Sequence, residues 1–452
     1  MIQGADVPST DCTHATAGGR QRRKSPDIVH KSKKQRITED QTKCTFFFSK
    51  KNRHCGMQRK SGFLFCGLHL EEQQDDTLER AQCPYGNHTV WKKLLKKHIE
   101  TCPEFLLQKK LKSEAYYEPG INRNQTSNEG AVQLPSINDF SGNQKDTVNA
   151  RRMAAIMRMG EDRFTQLIDK IESLWSTLGC QEPSAPNRVD KVRESERHYL
   201  QHVSIYKHMD DMEFFKESSS TIYMEFGSGK GFLTRSLVDL ASPKSLHRII
   251  LLDRKTFKEK ADKFLRGNNA TRLRCNIADF NPSKLEGLDP KSKIVVYAKH
   301  LCGEATDFAI RCIGHQVESN RPIGFAIASC CHHLTSWDQY VGARILEREG
   351  ITPEEFEIMC YMSGWSTCGS HVKYHGTRCQ QDEHSGIDDV WKPHKTMSRV
   401  KREELGTKCK DLIDKGRILY CTGLDGMNTA KNVYYVDPVI SKENRLLLGH
   451  AC

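Results

Sequence analysis

The sequence predicts an α/β fold: a mostly parallel, seven-stranded sheet flanked by helices and ending in an antiparallel hairpin, with two small metal-stabilised modules and a helical region ahead of it. Three observations carry this. From residue 220 the apolar runs TIYMEF, RIILLD, RLRCNI, KIVVYAKH and GFAIASC alternate with amphipathic helical patterns, as successive βα units do. After a charged helical segment, Lys401 to Lys415, the runs RILYCTG and KNVYYVDPVI flank the turn-rich LDGMNTA and predict the hairpin. The third is a concentration of cysteine and histidine between Cys44 and Cys102 at spacings that suit metal ligation.

A chain of 452 residues divides into two or three domains at ordinary domain sizes. Residues 1 to 40 are poor in large apolar side chains and carry the basic clusters RQRRK (Arg20 to Lys24) and KSKKQR (Lys31 to Arg36), which predict a disordered tail shaped like a bipartite nuclear import signal or a solvated RNA-attracting arm. A net charge of +12 favours an anionic partner. No apolar stretch approaches the ~20 residues of a membrane span, and the N-terminus lacks a signal-peptide core, so the protein is expected to be soluble and intracellular, in nucleus or cytoplasm. In that reducing setting the eighteen cysteines point to metal where they cluster and to core packing elsewhere.

The first module, residues 41–72, holds Cys44, Cys55, Cys66 and His69, a set that can close a tetrahedral zinc site. So short a segment cannot bury enough apolar surface to fold alone, so the ion would supply the folding energy. The second module, residues 80–106, holds Cys83, His88, His98 and Cys102; the last two lie four apart on WKKLLKKHIETC and share one helical face. Lys92, Lys93, Lys96 and Lys97 lie on the same helix, as phosphate contacts or simply a solvated face. A helical run from Glu104 to Tyr116 follows, then a polar linker over 119–149 and a helical region over 150–216, where Met153, Ile156, Phe164, Leu167, Ile168, Ile171, Leu174 and Trp175 recur at spacings of three and four. Residues 217–452 are expected to form the α/β domain.

Within that domain an apolar strand runs through Glu225 into Gly227, Gly229 and Gly231. Glycines there let the chain turn sharply and approach a ligand at the start of the next helix. The dinucleotide fingerprint requires a small residue where this chain has Phe232, so the spacing favours S-adenosylmethionine. Asp253 ends the second strand, where a carboxylate can accept both ribose hydroxyls, and Asp279 follows the third, at the adenine edge. Either acid is otherwise a loop residue or helix cap. A terminal hairpin on a parallel sheet is also the class I methyltransferase arrangement.

The fourth strand ends in Ala298 to Asp307 (AKHLCGEATD) and the fifth in ASCCHH, both at the carboxyl edge where open α/β folds bind ligands. Lys299, then His300, are the candidates to take or orient the proton of an acceptor hydroxyl, against a structural role at the strand end. Cys302, Cys330, Cys331, His332 and His333 read as the wall of a substrate pocket; a third metal site is disfavoured because adjacent cysteines are awkward ligands for one ion. Trp365 is a base-stacking or core residue, and the stretch from Thr367 to His394 has no assignment.

The CCCH and CHHC modules, EFGSGKG, KHLCGEATD, SCCHH, LGTKCKDLIDKGR and SKENRLLLG, in that order, resemble the eukaryotic tRNA 2′-O-ribose methyltransferases that modify nucleotide 4 of the acceptor stem. The resemblance runs over nearly the whole chain after residue 40. It implies methyl transfer from S-adenosylmethionine to a ribose oxygen of tRNA, two structural zinc ions, and fingers that position the acceptor stem. One departure is visible: after SCCHH the chain reads LTSWDQYVG, where the family pattern has an arginine and a cysteine. The competing readings are a methyltransferase with another acceptor, protein or RNA, and a catalytically silent RNA-binding adaptor.

Overall fold

The structure, a computed structural model, describes residues 42–48, 53–67, 69, 80–86, 88–124, 142–180, 194–216, 220–241, 246, 248–258, 260–265, 267, 269–367 and 397–452. The basic tail with its two clusters, and the unassigned stretch after Thr367, lie outside the described residues. The chain divides into two compact units, Met1–Cys102 and Pro103–Cys452.

In the first unit, strands β1 (Phe47–Phe48) and β2 (Arg53–His54) pair antiparallel, as do β3 (Arg80–Gln82) and β4 (Thr89–Trp91), and β4 leads into helix α1 (Leu95–Thr101). The two hairpins are joined: Arg80 Nη1 donates to the Gly67 carbonyl at 2.7 Å, and the Trp91 ring carries Lys60 Nζ at 5.3 Å and the Arg80 guanidinium at 5.0 Å from its centroid.

The second unit begins with α2 (Pro103–Leu111), followed by α3 (Gly142–Thr177) and α4 (Glu194–Asp211). The α/β part is β5 (Ile222–Phe226), α5 (Phe232–Leu240), β6 (Arg248–Leu252), β7 (Ala270–Leu273), β8 (Ile294–Cys302), α6 (Glu304–Glu318) and β9 (Ile323–Cys330). Helices α7 (Ala343–Arg348), α8 (Pro353–Ser363) and α9 (Arg399–Thr422) precede the closing strands β10 (Met427–Tyr434) and β11 (Arg445–Ala451). The seven strands lie in the order β10-β11-β9-β8-β5-β6-β7, and β11 alone runs against its neighbours. This is the predicted mostly parallel sheet with a terminal antiparallel hairpin.

Strand alternation sorts the core into two faces. Ile222, Met224, Phe226, Ile250, Leu252, Ile294 and Val296 pack on one side; Tyr223, Ile249, Leu251, Val295 and Tyr297 pack on the other. A third cluster joins α3, α8 and α9 through Phe164, Leu167, Ile171, Phe356, Met359, Cys409 and Leu412. Gly160, at φ 77° and ψ 171°, interrupts α3.

Several expected boundaries are corrected. RILYCTG is not a strand but the end of α9; the buried residues Leu405, Cys409, Leu412, Ile413 and Cys421 of that helix keep helical spacing, and a short apolar stretch of a largely buried helix looks like a strand when read over six residues. The hairpin therefore pairs Met427–Tyr434 with Arg445–Ala451, with Lys431 opposite Leu448. RLRCNI contributes only its first residues to β7, and helix α2 stops at Leu111. Residues 116–124, partly read as linker, are fastened to the domain: Tyr117 bridges Phe280, and Asn122 Nδ2 donates to the carbonyls of Ile277 at 2.6 Å and Phe280 at 2.8 Å.

Candidate active site and metal centres

The loop from β5 to α5 is the first element of the site. Gly227, Gly229 and Gly231 all have positive φ, at 65°, 50° and 80°. A Cβ at Gly227 would come within 3.1 Å of Leu301 Cδ1, and one at Gly231 within 3.1 Å of Arg272 Nη2, so the turn needs glycine on both conformational and steric grounds. Arg272, which the sequence reading missed, holds this loop: Nη1 donates to Ser228 Oγ and the Gly229 carbonyl, each at 2.9 Å, while Nη2 pairs with Asp262 at 2.7 Å.

Asp253 stands beyond the end of β6, where Oδ2 accepts the Gly229 N–H and Oδ1 the Lys255 N–H, both at 2.8 Å. Each oxygen keeps a further lone pair, so the carboxylate can fix the loop and still accept hydroxyls. Asp279 Oδ1 accepts the Gly120 N–H at 2.8 Å, which anchors the chain entering the domain. Glu225 is buried on the face of Tyr223 and Tyr297, where it accepts the Thr234 hydroxyl; burial pushes its carboxyl up to about 7.

Lys299 continues that face from Tyr297, which pairs with Glu225 across the sheet. It is only 8% exposed, an unusual place for a lysine. Burial lowers its ammonium to about 8, against the opposing influence of Glu225. Its Nζ lies 3.2 Å from Nδ1 of His198, an exposed residue of α4 that the sequence reading did not single out. Burial, then the Lys299 charge, lower the His198 pKa in turn. Directly after Lys299 the pairing of β8 with β9 slips, and His300 takes φ 63°. This bulge turns His300 outward into solvent, its ring 6.3 Å from that of His198 and nearly perpendicular to it. Lys299, His300 and His198 thus form one cluster of titratable nitrogens at the carboxyl edge of the sheet, and burial lowers the pKa of each.

The expected pocket wall separates into parts. The thiols of Cys302, Cys330 and Cys331 converge within 4.8 Å. His332 leaves that group: it is fully enclosed, with Nε2 at 2.8 Å from Asp414, whose other oxygen pairs with Arg417. The His333 carbonyl accepts from Arg152 Nη1 at 2.5 Å. Trp365, partly buried, packs edge-on to Tyr361 beside the α3–α8–α9 cluster.

In the first unit, Cys44, Cys55, Cys66 and His69 converge within 4.8 Å, as do Cys83, His88, His98 and Cys102. In the first set Cys55 Sγ and Cys66 Sγ are 3.9 Å apart, and His69 Nδ1 is 3.5 Å from Cys44 Sγ and 3.4 Å from Cys66 Sγ; in the second, Cys83 and Cys102 Sγ are 3.7 Å apart. Metal–sulfur bonds of ~2.3 Å at tetrahedral angles place two thiolates ~3.8 Å apart, so both donor sets fit zinc. Phe46 stacks on His69 at 3.9 Å and orients its ring.

The family model described as Methyltransferase TRM13 matches residues 200–450, more than half of the chain. The chain belongs to the Methyltransferase TRM13 family. The model of the CCCH zinc finger in TRM13 protein matches residues 42–70, which contain the first donor set. Curated relatives in the TRM13 family extend over almost the full chain. The Debaryomyces hansenii protein named tRNA:m(4)X modification enzyme TRM13 is 28% identical over 93% of this chain and 95% of its own length. The mouse homologue of that name is 27% identical over 90% of this chain and 93% of its own, and the Saccharomyces cerevisiae enzyme 25% identical over 90% and 96%. Among the described residues, no helix of this TRM13-family chain is long and apolar enough to cross a membrane.

Proposed function

We propose that this methyltransferase transfers a methyl group from S-adenosylmethionine to the ribose 2′-hydroxyl of nucleotide 4 in the tRNA acceptor stem, with zinc held at both modules of the first unit. The observation that carries the reading is the buried Lys299 at the bulged end of β8, beside the glycine loop and Glu225, in a chain whose relatives are named as modifying position 4 of tRNA.

The donor supplies an electrophilic methyl group; the protein's part is to place and deprotonate the acceptor. Gly227, Gly229 and Gly231 leave room for close backbone approach, and Glu225, Asp253 and Asp279 are the acids that would hold the donor, Asp253 at its ribose hydroxyls and Asp279 at the adenine side. Lys299, neutral in part near pH 8, takes the 2′-hydroxyl proton as the oxygen attacks, and His198 passes it toward solvent. His300 contacts the nucleotide from the outer side of the bulge. A-form RNA presents its 2′-hydroxyls in a wide, shallow minor groove, so a stem nucleotide is chosen by distance from the helix end rather than by base edges, and the two joined zinc modules serve as that measure.

The test is transfer of labelled methyl from S-adenosylmethionine to total tRNA, with nuclease digestion to locate the label. Label at nucleotide 4 of the acceptor stem, lost in Lys299→Ala, is expected. Label on another nucleotide or on protein would overturn the assignment.

A further inference from the structure

Adjacent cysteines in a strand point to opposite faces and cannot share an ion. That objection fails here because the backbone breaks the alternation: Cys330 ends β9 in extended form, and Cys331 takes left-handed φ 50° and ψ 44° at the start of a short 3-10 turn. The Cys331 side chain is thereby swung back beside that of Cys330. From the neighbouring strand, Cys302 is the direct register partner of Cys330, and their Sγ atoms are 3.5 Å apart. This separation is close to the 3.9 Å and 3.7 Å of the thiol pairs in the two zinc modules. Holding the arrangement involves two non-glycine residues at positive φ, His300 and Cys331, and Gly303, where a Cβ would lie 2.4 Å from the Leu334 carbonyl oxygen. Strained backbone of this kind persists where the surrounding structure requires it, and it gathers at functional sites.

We infer that Cys302, Cys330 and Cys331 form a third metal centre, which binds zinc through three thiolates at the carboxyl ends of β8 and β9. Three soft donors at this spacing match the preference of zinc for sulfur, and binding releases the thiol protons to solvent. Cys330 is buried, whereas Cys302 and Cys331 are partly exposed, so the fourth coordination position faces water, the pattern of a three-ligand site and not of a closed structural one. The ion cross-links the ends of the two strands, one of which carries Lys299. The site lies in the second unit and is independent of the two zinc modules.

The test is zinc content per chain of the full-length protein, prepared with zinc and reductant, for wild type, the double variant Cys302→Ser/Cys331→Ser, and the module variants Cys66→Ser and Cys102→Ser. The double variant is expected to lose one zinc equivalent relative to wild type; equal zinc in the two overturns the third centre. The module variants test the other two sites separately, so a failure there is distinguishable. Peptide mass spectrometry after iodoacetamide treatment covers the case of a misfolded variant, because it uses wild type alone. Alkylation of Cys302 and Cys331 that rises at least severalfold on adding a chelator supports the site, and equal alkylation with and without chelator, or an interthiol disulfide in the zinc-treated protein, contradicts it.

Discussion

Lys299 concentrates the chemistry at the residue scale. Its proton must be absent for it to accept one, and burial brings its pKa down from the ordinary lysine value to about 8. The rate of methyl transfer should therefore rise about tenfold per pH unit below 8 and level off above it, with Lys299→Met lowering kcat by about 10²–10⁴ and leaving donor binding nearly unchanged. Single-turnover kinetics across pH 6 to 9 measure this; a flat profile would remove Lys299 as the base. Asp253→Ala should do the reverse, weakening donor binding at least tenfold in calorimetry while tRNA affinity stays put. Lys299 and Asp253 were legible in the sequence because each sits at a strand end whose place in the sheet follows from chain order. His198 was not, because it approaches Lys299 from 101 residues away and no local pattern marks it. Arg272 was hidden in the same way, inside a run read only as a strand.

At the scale of elements, the end of β8 departs most from regular structure. Gly303 has φ 54° and no room for a Cβ against Leu334, so Gly303→Ala should cost about 1–3 kcal/mol of stability by overpacking, with a further cost from the backbone conformation. Urea unfolding measures it, and a change below about 0.5 kcal/mol would show that the turn relaxes. The parallel strands were visible as apolar runs, since both faces of the sheet are covered. The hairpin was misplaced by one element for the same reason. The last turns of α9 enclose Arg417 and Asp414, both with fully buried side chains, and this burial of charged residues blurs the polar face that normally marks a helix. RILYCTG therefore read as a strand, and Arg445 to Ala451, the true partner of β10, was given no place in the sheet. The bulge at His300 and the left-handed Cys331 left no sequence signal, since neither residue is a usual occupant of that backbone region.

At the scale of the whole molecule, two compact units divide the work: one has metal donor sets and exposed lysines, the other the sheet, the glycine loop and Lys299. Each donor module proposed to hold zinc has too little apolar surface to fold alone, so an ion would supply the folding energy. Removing zinc with a chelator should therefore abolish tRNA binding, or weaken it by at least tenfold, while S-adenosylmethionine binding changes little; electrophoretic shift and calorimetry on the same sample check both. Loss of donor binding in parallel would mean that the second unit depends on a metal ion, its own or one held by the first unit. The division was readable from cysteine spacing and the switch from scattered to alternating apolar residues, whereas the joining of the modules through Arg80, Lys60 and Trp91 depends on contacts that spacing does not encode.

The central claim, attack by the 2′-oxygen of acceptor-stem nucleotide 4, is tested most directly by deleting that one atom. A tRNA assembled with a 2′-deoxy residue at nucleotide 4 should bind the protein as the all-ribose tRNA does and accept no methyl group, while 2′-deoxy substitution at nucleotide 3 or 5 leaves transfer intact. Full methylation of the tRNA deoxy at nucleotide 4 would contradict the account.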